Sequence, residues 1–335
     1  KLKLVQIYNY PSPKKMFNKN YAFLSSTSKS MKLHFKKYAQ TLKKKLNKKN
    51  FKVMEVGCND GILLENFKQN QHIGIEPSLN VCKIAKNKGL NVINKFFNRS
   101  IVKSKYLNKK FDIICGANVF CHIPDLYEVF FTLKMLLNND GIISIEEPYL
   151  GDMIRKISYD QIYDEHIFIF SITSISKIAS IFNLELFDAE KQNTHGGSMR
   201  YYLCHKRHKK KSKRLLKLFN DEKKLGLDNF KKIKKFEKNC IASKNKLKKK
   251  IKELSVTHEI YGYGATSKST TILNFCGVGK KEIKGIFDTS YTKIGKMTPV
   301  THIPILNYKK SFNKIKPKVC ILFAWNHAME ICDKE

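Results

Sequence analysis

From residue 51 onward, short apolar runs alternate with segments in which apolar residues recur every three or four positions. The short runs predict buried β-strands, and the wider spacing predicts amphipathic helices. Predicted strands are "FKVMEVG", "HIGIEPS", "LNVINKFF", "KFDIICGANVF", "GIISIEEPY" and "SMRYYLCHK". Predicted helices lie in "GILLENFKQ", "NVCKIAKNKG" and "DLYEVFFTLKMLLNNDG", and "SITSISKIASIFNLELFDAE" holds a helix and a strand. This alternation favours a parallel sheet wound by βαβ crossovers.

The chain is predicted to contain four regions. Residues 1–20 are a remnant or linker of an N-terminal region, and residues 21–205 form the first α/β domain. Residues 206–255 are rich in Lys with apolar residues at helical spacing, which predicts a charged helical connector. The alternation then restarts in "HEIYGYG", "SKSTTILNFCG", "IKGIFDTS" and "KVCILFAWNH". Residues 256–335 are therefore predicted to form a second, smaller α/β Rossmann-like domain.

A glycine turn follows the first predicted strand, in "VMEVGCNDG". It has the form E-x-G-x-x-x-G, from Glu55 through Gly57 to Gly61, with Asn59 inside it. Glycines let the backbone approach a ligand closely, and the start of a helix offers unpaired N–H groups. The G-x-G-x-x-G spacing of an NAD-binding Rossmann fold, the rival interpretation, is absent. The turn is therefore a candidate cofactor site.

Two polar residues follow later strands. Glu76 ends the strand in "IGIEPS", where a carboxylate can accept hydrogen bonds from both hydroxyls of a ribose. Asn118 follows the strand in "GANVFCHIP". With the glycine turn, these positions resemble the class I Rossmann-like S-adenosylmethionine methyltransferases. That resemblance implies S-adenosylmethionine as cofactor, bound by Glu55, Gly57, Asn59, Gly61, Glu76 and Asn118.

Seven motifs occur in one order: "NYAFLSSTSKSM", "EVGCNDGILL", "ANVFCHIPDL", "EEPYLGDMIRKISYDQIYDEHIFIFS", "THGGSMRYYL", "YGYGATSKSTTILNFCG" and "FAWNH". Together they resemble the sugar C-methyltransferases that act on nucleotide-linked 4-keto-deoxy sugars, from about residue 10 onward. That family begins with a Cys-rich zinc domain and continues beyond "FAWNH". This chain has neither, so we expect a truncated chain without zinc, whose partner is a nucleotide-linked keto sugar.

The resemblance implies a catalytic base at His166, in "SYDQIYDEHIFIFS". The C3–H of a 4-keto sugar lies next to a carbonyl, so a base can remove it and leave an enolate. Imidazole titrates near the working pH, and the following apolar run would keep water from the enolate. Tyr163 would hydrogen-bond the enolate oxygen, sharing a face with His166 if this segment is helical. Glu165 would orient the sugar or hold charge beside it.

Further substrate contacts are expected at strand ends. Asn118 and His122 match sugar-site positions of the family. His195 and Arg200 flank two glycines in "THGGSMR", where a sugar or pyrophosphate contact is one interpretation and a turn that needs glycine is the other.

In the second domain, "YGYGATSKS" resembles a phosphate-binding turn and makes Lys268 a candidate substrate contact. Asp288 ends the next strand and would hold a ribose as Glu76 does. The alternative is a degenerate nucleotide fold that only packs.

Charge and cysteine content limit the other functions. The formal net charge is +36, but only five of the 64 Lys and Arg residues are Arg, the side chain that reads phosphate and bases bidentately. We therefore expect no specific nucleic-acid partner, although a nucleic-acid methyltransferase remains an alternative. Sugar or small-molecule O-methylation and a non-catalytic binding module are the others.

The nine cysteines are scattered without a C-x-x-C pair, which is typical of reduced cytoplasmic thiols and gives neither a disulfide framework nor a zinc site. Asp164, Glu165 and His166 are adjacent residues that seldom point the same way, so no metal site is predicted there. Apolar runs are too short for a membrane span. The expected location is cytoplasmic, without a membrane partner, and the oligomeric state is not predicted.

Overall fold

The computed structural model describes residues 2–102 and 110–333, so the outermost residues of the predicted regions 1–20 and 256–335 lie outside the described part. The described chain divides into two compact units. The first contains residues up to 150 together with Asp164–Gln192 and Gly197–Asp228. The second contains Gly151–Tyr163, Asn193–Gly196 and the residues from 229 onward. None of the described helices combines the length and apolar character needed to cross a bilayer.

The strands and helices among the described residues are as follows. The strands are β1 (Val5–Gln6), β2 (Lys52–Val56), β3 (Gln71–Ile75), β4 (Val92–Ile93), β5 (Phe111–Ala117), β6 (Leu137–Pro148), β7 (Phe168–Ile169), β8 (Leu184–Gln192), β9 (Ser198–His205), β10 (Ile260–Tyr263), β11 (Ile283–Asp288), β12 (Ile305–Asn307) and β13 (Val319–Leu322). The α-helices are α1 (Pro13–Met16), α2 (Lys29–Leu46), α3 (Leu79–Asn87), α4 (Leu126–Leu136), α5 (Leu150–Lys156), α6 (Ile172–Ile181), α7 (Lys213–Leu225), α8 (Phe230–Thr257), α9 (Ser267–Cys276), α10 (Tyr308–Ile315) and α11 (Ala328–Cys332).

The main sheet of the first unit has the strand order β4-β3-β2-β5-β6-β9-β8. The pairs from β4 to β6 are parallel, which confirms the predicted βαβ winding. The last two pairs, β6 with β9 and β9 with β8, are antiparallel and were not predicted. Because β2, β3 and β5 are parallel neighbours, the loops after them emerge at one edge of the sheet.

The central strands are apolar on both faces because packed side chains cover each face. Met54, Ile114 and Ile143 join one core cluster, whereas the alternate residues Val53 and Ile113 join the other. All five are fully buried. This two-sided burial explains why the strands read as continuous apolar runs rather than as alternating patterns.

Two predicted helices differ from the structure. The segment "GILLENFKQ" forms only a short 3-10 helix over Leu64–Phe67, since Ile62, Leu63 and Leu64 are all buried and leave no polar face for an amphipathic helix. Helix α4 ends at Leu136 instead of continuing to the glycine stop, because Leu137 already pairs with Phe111 in the sheet.

The second unit contains a parallel sheet of order β12-β11-β10-β13. The residues predicted as one Lys-rich connector, 206–255, hold two helices that belong to different units. Leu215 of α7 packs into the core of the first unit, and Ile251 of α8 packs into the core of the second. The Glu222 carboxylate of α7 also accepts the backbone N–H of Ile172 (2.6 Å), at the start of α6.

Candidate active site

The glycine turn after β2 leaves no room for a side chain. Gly57 has φ +64°, and a Cβ added there would lie 2.5 Å from Cγ2 of Val119. Its N–H donates to the carbonyl of Ile75 (2.8 Å), which ties the turn to the end of β3. Gly61 also has positive φ, +84°. The turn therefore presents bare backbone where β2, β3 and β5 end, a cradle that fits a nucleoside.

Glu76 is held at the end of β3 by two backbone donors. The N–H of Asn59 donates to one carboxylate oxygen (3.0 Å) and the N–H of Ser78 to the other (2.8 Å). Burial raises the pKa of this carboxyl, and the two backbone donors oppose that shift. Each oxygen keeps acceptor capacity for a hydroxyl donor. This arrangement fits the ribose of S-adenosylmethionine, as the sequence predicts.

A Glu76→Gln substitution is expected to weaken binding of S-adenosylhomocysteine by about 10- to 100-fold, because a hydrogen bond to a charged group contributes about 1.5–3 kcal/mol. Isothermal titration calorimetry would measure the change. The matched control is Glu65→Gln, an exposed carboxylate on the neighbouring 3-10 helix. Equal affinities of the Glu76→Gln and Glu65→Gln proteins would contradict the ribose assignment.

Glu55 lies inside the sheet rather than at its edge. It is 3% exposed, and burial together with the nearby Glu76 charge raises the pKa of its carboxyl well above the usual range. Its contact with the cofactor stays a prediction.

The segment before α2 crosses the glycine turn. The N–H of Ser25 donates to the side-chain oxygen of Asn59 (3.0 Å), and the Asn59 amide donates to the carbonyl of Phe23 (3.2 Å). The N–H of Ser26 donates to the Asp60 carboxylate (3.2 Å). Asn59 thus fixes this segment over the turn. The motif "NYAFLSSTSKSM" was a signal for it, although spacing alone assigned no role to its residues.

Glu147 holds the loop after β5. Its carboxylate accepts the backbone N–H groups of Val119 (3.0 Å) and Phe120 (2.8 Å), and the Cys121 thiol donates to it. Asn118 opens this loop with φ +53°, and its N–H donates to the carbonyl of Glu146 (2.8 Å). The sequence analysis assigned Glu147 no role; its position in "IEEPY" at a strand end is the available signal.

Two histidines lie side by side in the first unit. The rings of His122 and His166 have centroids 5.3 Å apart, and both side chains are buried. His122 Nδ1 lies 2.5 Å from the carbonyl oxygen of Glu165. A carbonyl only accepts, so Nδ1 carries the proton and Nε2 keeps its lone pair. Burial lowers the pKa of His122, which favours the neutral imidazole.

Tyr21 links the histidine pair to the cofactor cradle. Its hydroxyl donates to the Glu165 carboxylate. Burial raises the pKa of Tyr21 most, and the charges of Glu165 and then Glu76 raise it further. The side-chain amide of Asn80, in α3, donates to the Tyr21 carbonyl (2.8 Å) and ties this segment to the residues after β3. Burial and the neighbouring Asp164 raise the pKa of Glu165, and the hydrogen bond from Tyr21 partly opposes this rise. Tyr21 was not predicted as a site residue, although it stands in a motif that carries the family resemblance.

Tyr163 does not share a helical face with His166. Residues 163–165 form a bend and a turn between the 3-10 helix Tyr159–Gln161 and β7. The helix on which a shared face depended is therefore absent from this segment. Tyr163 ends a segment of the second unit, whereas Glu165 and His166 belong to the first.

Arg200 lies within the sheet, where its guanidinium is committed to Glu146. The two residues are cross-strand partners on β6 and β9, and Arg200 Nε lies 2.7 Å from a Glu146 oxygen. Arg200 also stacks on the Tyr38 ring, 3.7 Å from its centroid. Burial raises the pKa of Glu146, but Arg200 and His34 outweigh burial and bring it to about 2. We therefore leave Arg200 out of the proposed substrate site.

The second unit brings Lys268 and His195 together. Lys268 Nζ donates to the carbonyl of His195 (3.0 Å) and lies 3.9 Å from the Asp160 carboxylate, which also accepts the Trp325 indole N–H (2.7 Å). Burial lowers the pKa of Lys268, and Asp160 opposes that change. A Cβ on Gly196 would lie 2.4 Å from the Trp325 ring, so glycine at this position allows the indole to pack against the backbone.

Asp288 in the second unit repeats the hydrogen bonding of Glu76. Its carboxylate accepts the N–H groups of Ala265 (2.9 Å) and Ser290 (2.7 Å). The Gly264 N–H donates to the carbonyl of Phe287 (2.8 Å), the residue before Asp288. The turn after β10 therefore has the hydrogen-bonding pattern of the turn after β2. Contact with a ligand stays a prediction.

Burial raises the pKa of Glu147 to about 7, against the opposing effect of the Cys121 thiol and the backbone donors. An unfolded glutamate has a pKa of about 4.3. Between this pH and the folded-state pKa, the folded protein binds more protons than the unfolded chain. Raising the pH across this range therefore lowers the free energy of unfolding by up to roughly 3 kcal/mol. A Glu147→Gln substitution is expected to remove that loss. Urea unfolding of both proteins at pH 5 and pH 8 measures the difference; parallel losses in both would contradict the assignment.

Comparisons with known proteins find similarity along most of the chain. Residues 30–189 match the family model described as a methyltransferase domain, and residues 193–335 match the one described as a C-methyltransferase C-terminal domain. C-methyltransferase NovU of Streptomyces niveus is 27% identical over 290 residues, which cover 84% of this chain and 68% of that protein. The ubiquinone biosynthesis O-methyltransferase of Haemophilus ducreyi is 32% identical over 101 residues, 28% of this chain and 43% of that protein.

Among solved structures, a methyltransferase from Clostridium acetobutylicum that depends on S-adenosylmethionine superposes with a TM-score of 0.42 at 13% identity. The match covers 54% of this chain and 94% of that one. The two family matches and the long NovU alignment identify the chain as a methyltransferase whose cofactor is S-adenosylmethionine.

Proposed function

We propose that the enzyme methylates a carbon of a nucleotide-linked 4-keto-deoxy sugar through an enolate. The observation that carries this proposal is the buried pair of His122 and His166, whose ring centroids lie 5.3 Å apart. Tyr21 joins this pair to the start of α3, because its hydroxyl donates to Glu165 and its carbonyl accepts the side-chain amide of Asn80 (2.8 Å). A methyl acceptor activated at the histidines would thus lie close to the donor.

His166 is proposed as the base that removes the C3 proton. Imidazole can accept a proton near neutral pH, and removal of a proton next to a carbonyl needs a base of that strength. The following residues Ile167, Phe168 and Phe170 are buried and apolar, which supports exclusion of water from the enolate. After proton removal, C3 carries the nucleophilic electron pair, and the proton on His166 returns to solvent.

The remaining polar groups are proposed to position the sugar. Glu165 is held by Tyr21 and would accept a sugar hydroxyl, whereas His122, fixed by the Glu165 carbonyl, would present Nε2 as an acceptor. Asn118, at the start of the same loop as His122, is a further proposed sugar contact. Tyr163 keeps its proposed role as donor to the enolate oxygen, although it shares no helical face with His166.

S-adenosylmethionine supplies an electrophilic methyl on a sulfonium. In the first unit, Glu76 would hold its ribose, and the bare backbone from Gly57 to Gly61 would lie along it. The Lys268 ammonium and the His195 loop of the second unit stay predicted contacts for the sugar or its pyrophosphate. We also propose a cytoplasmic location, in line with the free cysteines.

O-methylation is the second candidate, because a histidine base can also activate a hydroxyl and because one relative is an O-methyltransferase. The test is to incubate the enzyme with S-adenosylmethionine and a dTDP-4-keto-6-deoxy sugar, then to examine the product by two-dimensional NMR. A methyl group coupled to the sugar carbon C3 supports the proposal. A methyl group on oxygen, or no product with any 4-keto sugar, would contradict it.

A further inference from the structure

Three metal-ligating side chains that are separate in the sequence meet in the first unit. Cys121 and His122 lie in the loop after β5, and His166 lies just before β7. One ligand atom from each, the cysteine sulfur and a ring nitrogen of each histidine, all lie within 4.8 Å of one another. Each side chain is less than 9% exposed. Thiolate and imidazole are the ligands that Zn²⁺ prefers in proteins.

The surroundings orient one of these ligands. A histidine that binds a metal through one ring nitrogen usually donates its other N–H to a carbonyl or carboxylate. The Glu165 carbonyl, 2.5 Å from His122 Nδ1, has this position. Cys121 Sγ lies 3.6 Å from the same Nδ1 atom. A metal bound by the sulfur and by His122 Nε2 therefore requires the cysteine side chain to turn toward the other ring nitrogen.

We propose that Zn²⁺, or another thiophilic divalent cation, binds Cys121, His122 and His166 and inhibits the enzyme. Three protein ligands leave one tetrahedral position for water. The ligands of one zinc ion lie roughly 3.3–3.8 Å apart, so the three atoms, now within 4.8 Å of one another, would move closer together on binding. The thiol proton is released to solvent on binding, so the affinity rises with pH.

Inhibition rests on the proposed function of His166. Its lone pair cannot bind a metal and accept the C3 proton at once, so metal binding would stop enolate formation. This ligand set differs from the adjacent residues Asp164–His166 that the sequence analysis rejected, because two of its members come from the loop after β5.

Cobalt titration of the full chain tests the site without any turnover. One equivalent of Co²⁺ is expected to produce the thiolate-to-cobalt charge-transfer band in the near ultraviolet. The Cys121→Ala protein should lose this band and bind Co²⁺ more than about 100-fold more weakly, since even outer-shell changes cost 10- to 100-fold. Cys115→Ala, an equally buried cysteine of β5, is the matched control and should keep the band.

A second variant separates a lost ligand from a misfolded protein. His122→Gln should keep the charge-transfer band while its visible cobalt bands shift, because sulfur remains bound. A band that is absent from the wild type, or that survives in Cys121→Ala, would overturn the metal site.

Methyl transfer gives the second readout. Zn²⁺ is expected to inhibit the wild type, whereas Cys121→Ala should keep its basal activity and lose at least about tenfold in zinc sensitivity. A Cys121-dependent cobalt band without zinc inhibition would overturn the inhibitory role alone. Failure of the proposed function would appear separately, as an unchanged methyl-transfer rate in a metal-free His166→Ala protein.

Discussion

Replacing His166 with alanine is expected to lower methyl transfer by about 10²- to 10⁴-fold, the contribution typical of a positioned general base. The side chain is buried, so water cannot readily take its place as proton acceptor. Binding of S-adenosylhomocysteine should stay within about twofold of the wild type, because the Glu76 cradle does not contain this residue. Single-turnover rates and calorimetric affinities measure the two effects separately.

The control for this variant is His208→Ala, which removes an exposed histidine of the same unit. It should behave as the wild type in both measurements. Two results would contradict the assignment of His166: methyl transfer within tenfold of the wild type, or a loss of activity that is matched by an equal loss of cofactor affinity.

The second large effect concerns stability. An Arg200→Met substitution is expected to destabilise the first unit by about 3–5 kcal/mol at pH 7, because it leaves the buried Glu146 charge without its guanidinium partner. In the wild type Glu146 is 0% exposed and Arg200 3%. Urea unfolding should show a lower midpoint, and Arg207→Met, the same change at an exposed position, should show almost none.

Lowering the pH distinguishes loss of the ion pair from loss of side-chain packing at residue 200. In the wild type the folded-state pKa of Glu146 is about 2, so its contribution to stability is present above the unfolded pKa of about 4.3 and is lost as the pH falls toward 2. Without Arg200, burial should raise that pKa instead, so the variant should regain stability between pH 7 and pH 5. The double substitution Arg200→Met, Glu146→Leu should recover most of the loss. A loss that is independent of pH and persists in the double variant would contradict the ion-pair account.

The glycine turn and the position of Glu76 beside it were predictable because their determinants are local. Glu55, Gly57 and Gly61 lie in one strand-to-turn segment, and Glu76 ends the next strand. Parallel neighbours place such ends at one edge without any knowledge of side-chain packing. The same reasoning does not reach Tyr21, whose relation to Glu76 and Glu165 depends on how the segment before α2 crosses the turn.

Arg200 illustrates what the sequence pattern leaves open. Its contact with Glu146 depends on the antiparallel register of β6 and β9, which aligns residues 54 positions apart. A shift of one residue would turn its side chain to the opposite face of the sheet. The strand-helix alternation predicted parallel pairing throughout, so it could not predict this register. The metal-ligating triad was missed for a similar reason, since Cys121 meets His166 only through the loop that Glu147 holds.

The most direct test of the account is hydrogen exchange without methyl transfer. The protein is incubated with S-adenosylhomocysteine and a dTDP-4-keto-6-deoxy sugar in D2O, and deuterium at C3 is followed by mass spectrometry. We predict wash-in that depends on the wild-type enzyme and is lost in His166→Ala. Absence of wash-in with S-adenosylhomocysteine demonstrably bound would contradict enolate chemistry on this class of sugar, and wash-in that persists in His166→Ala would assign the base to another residue.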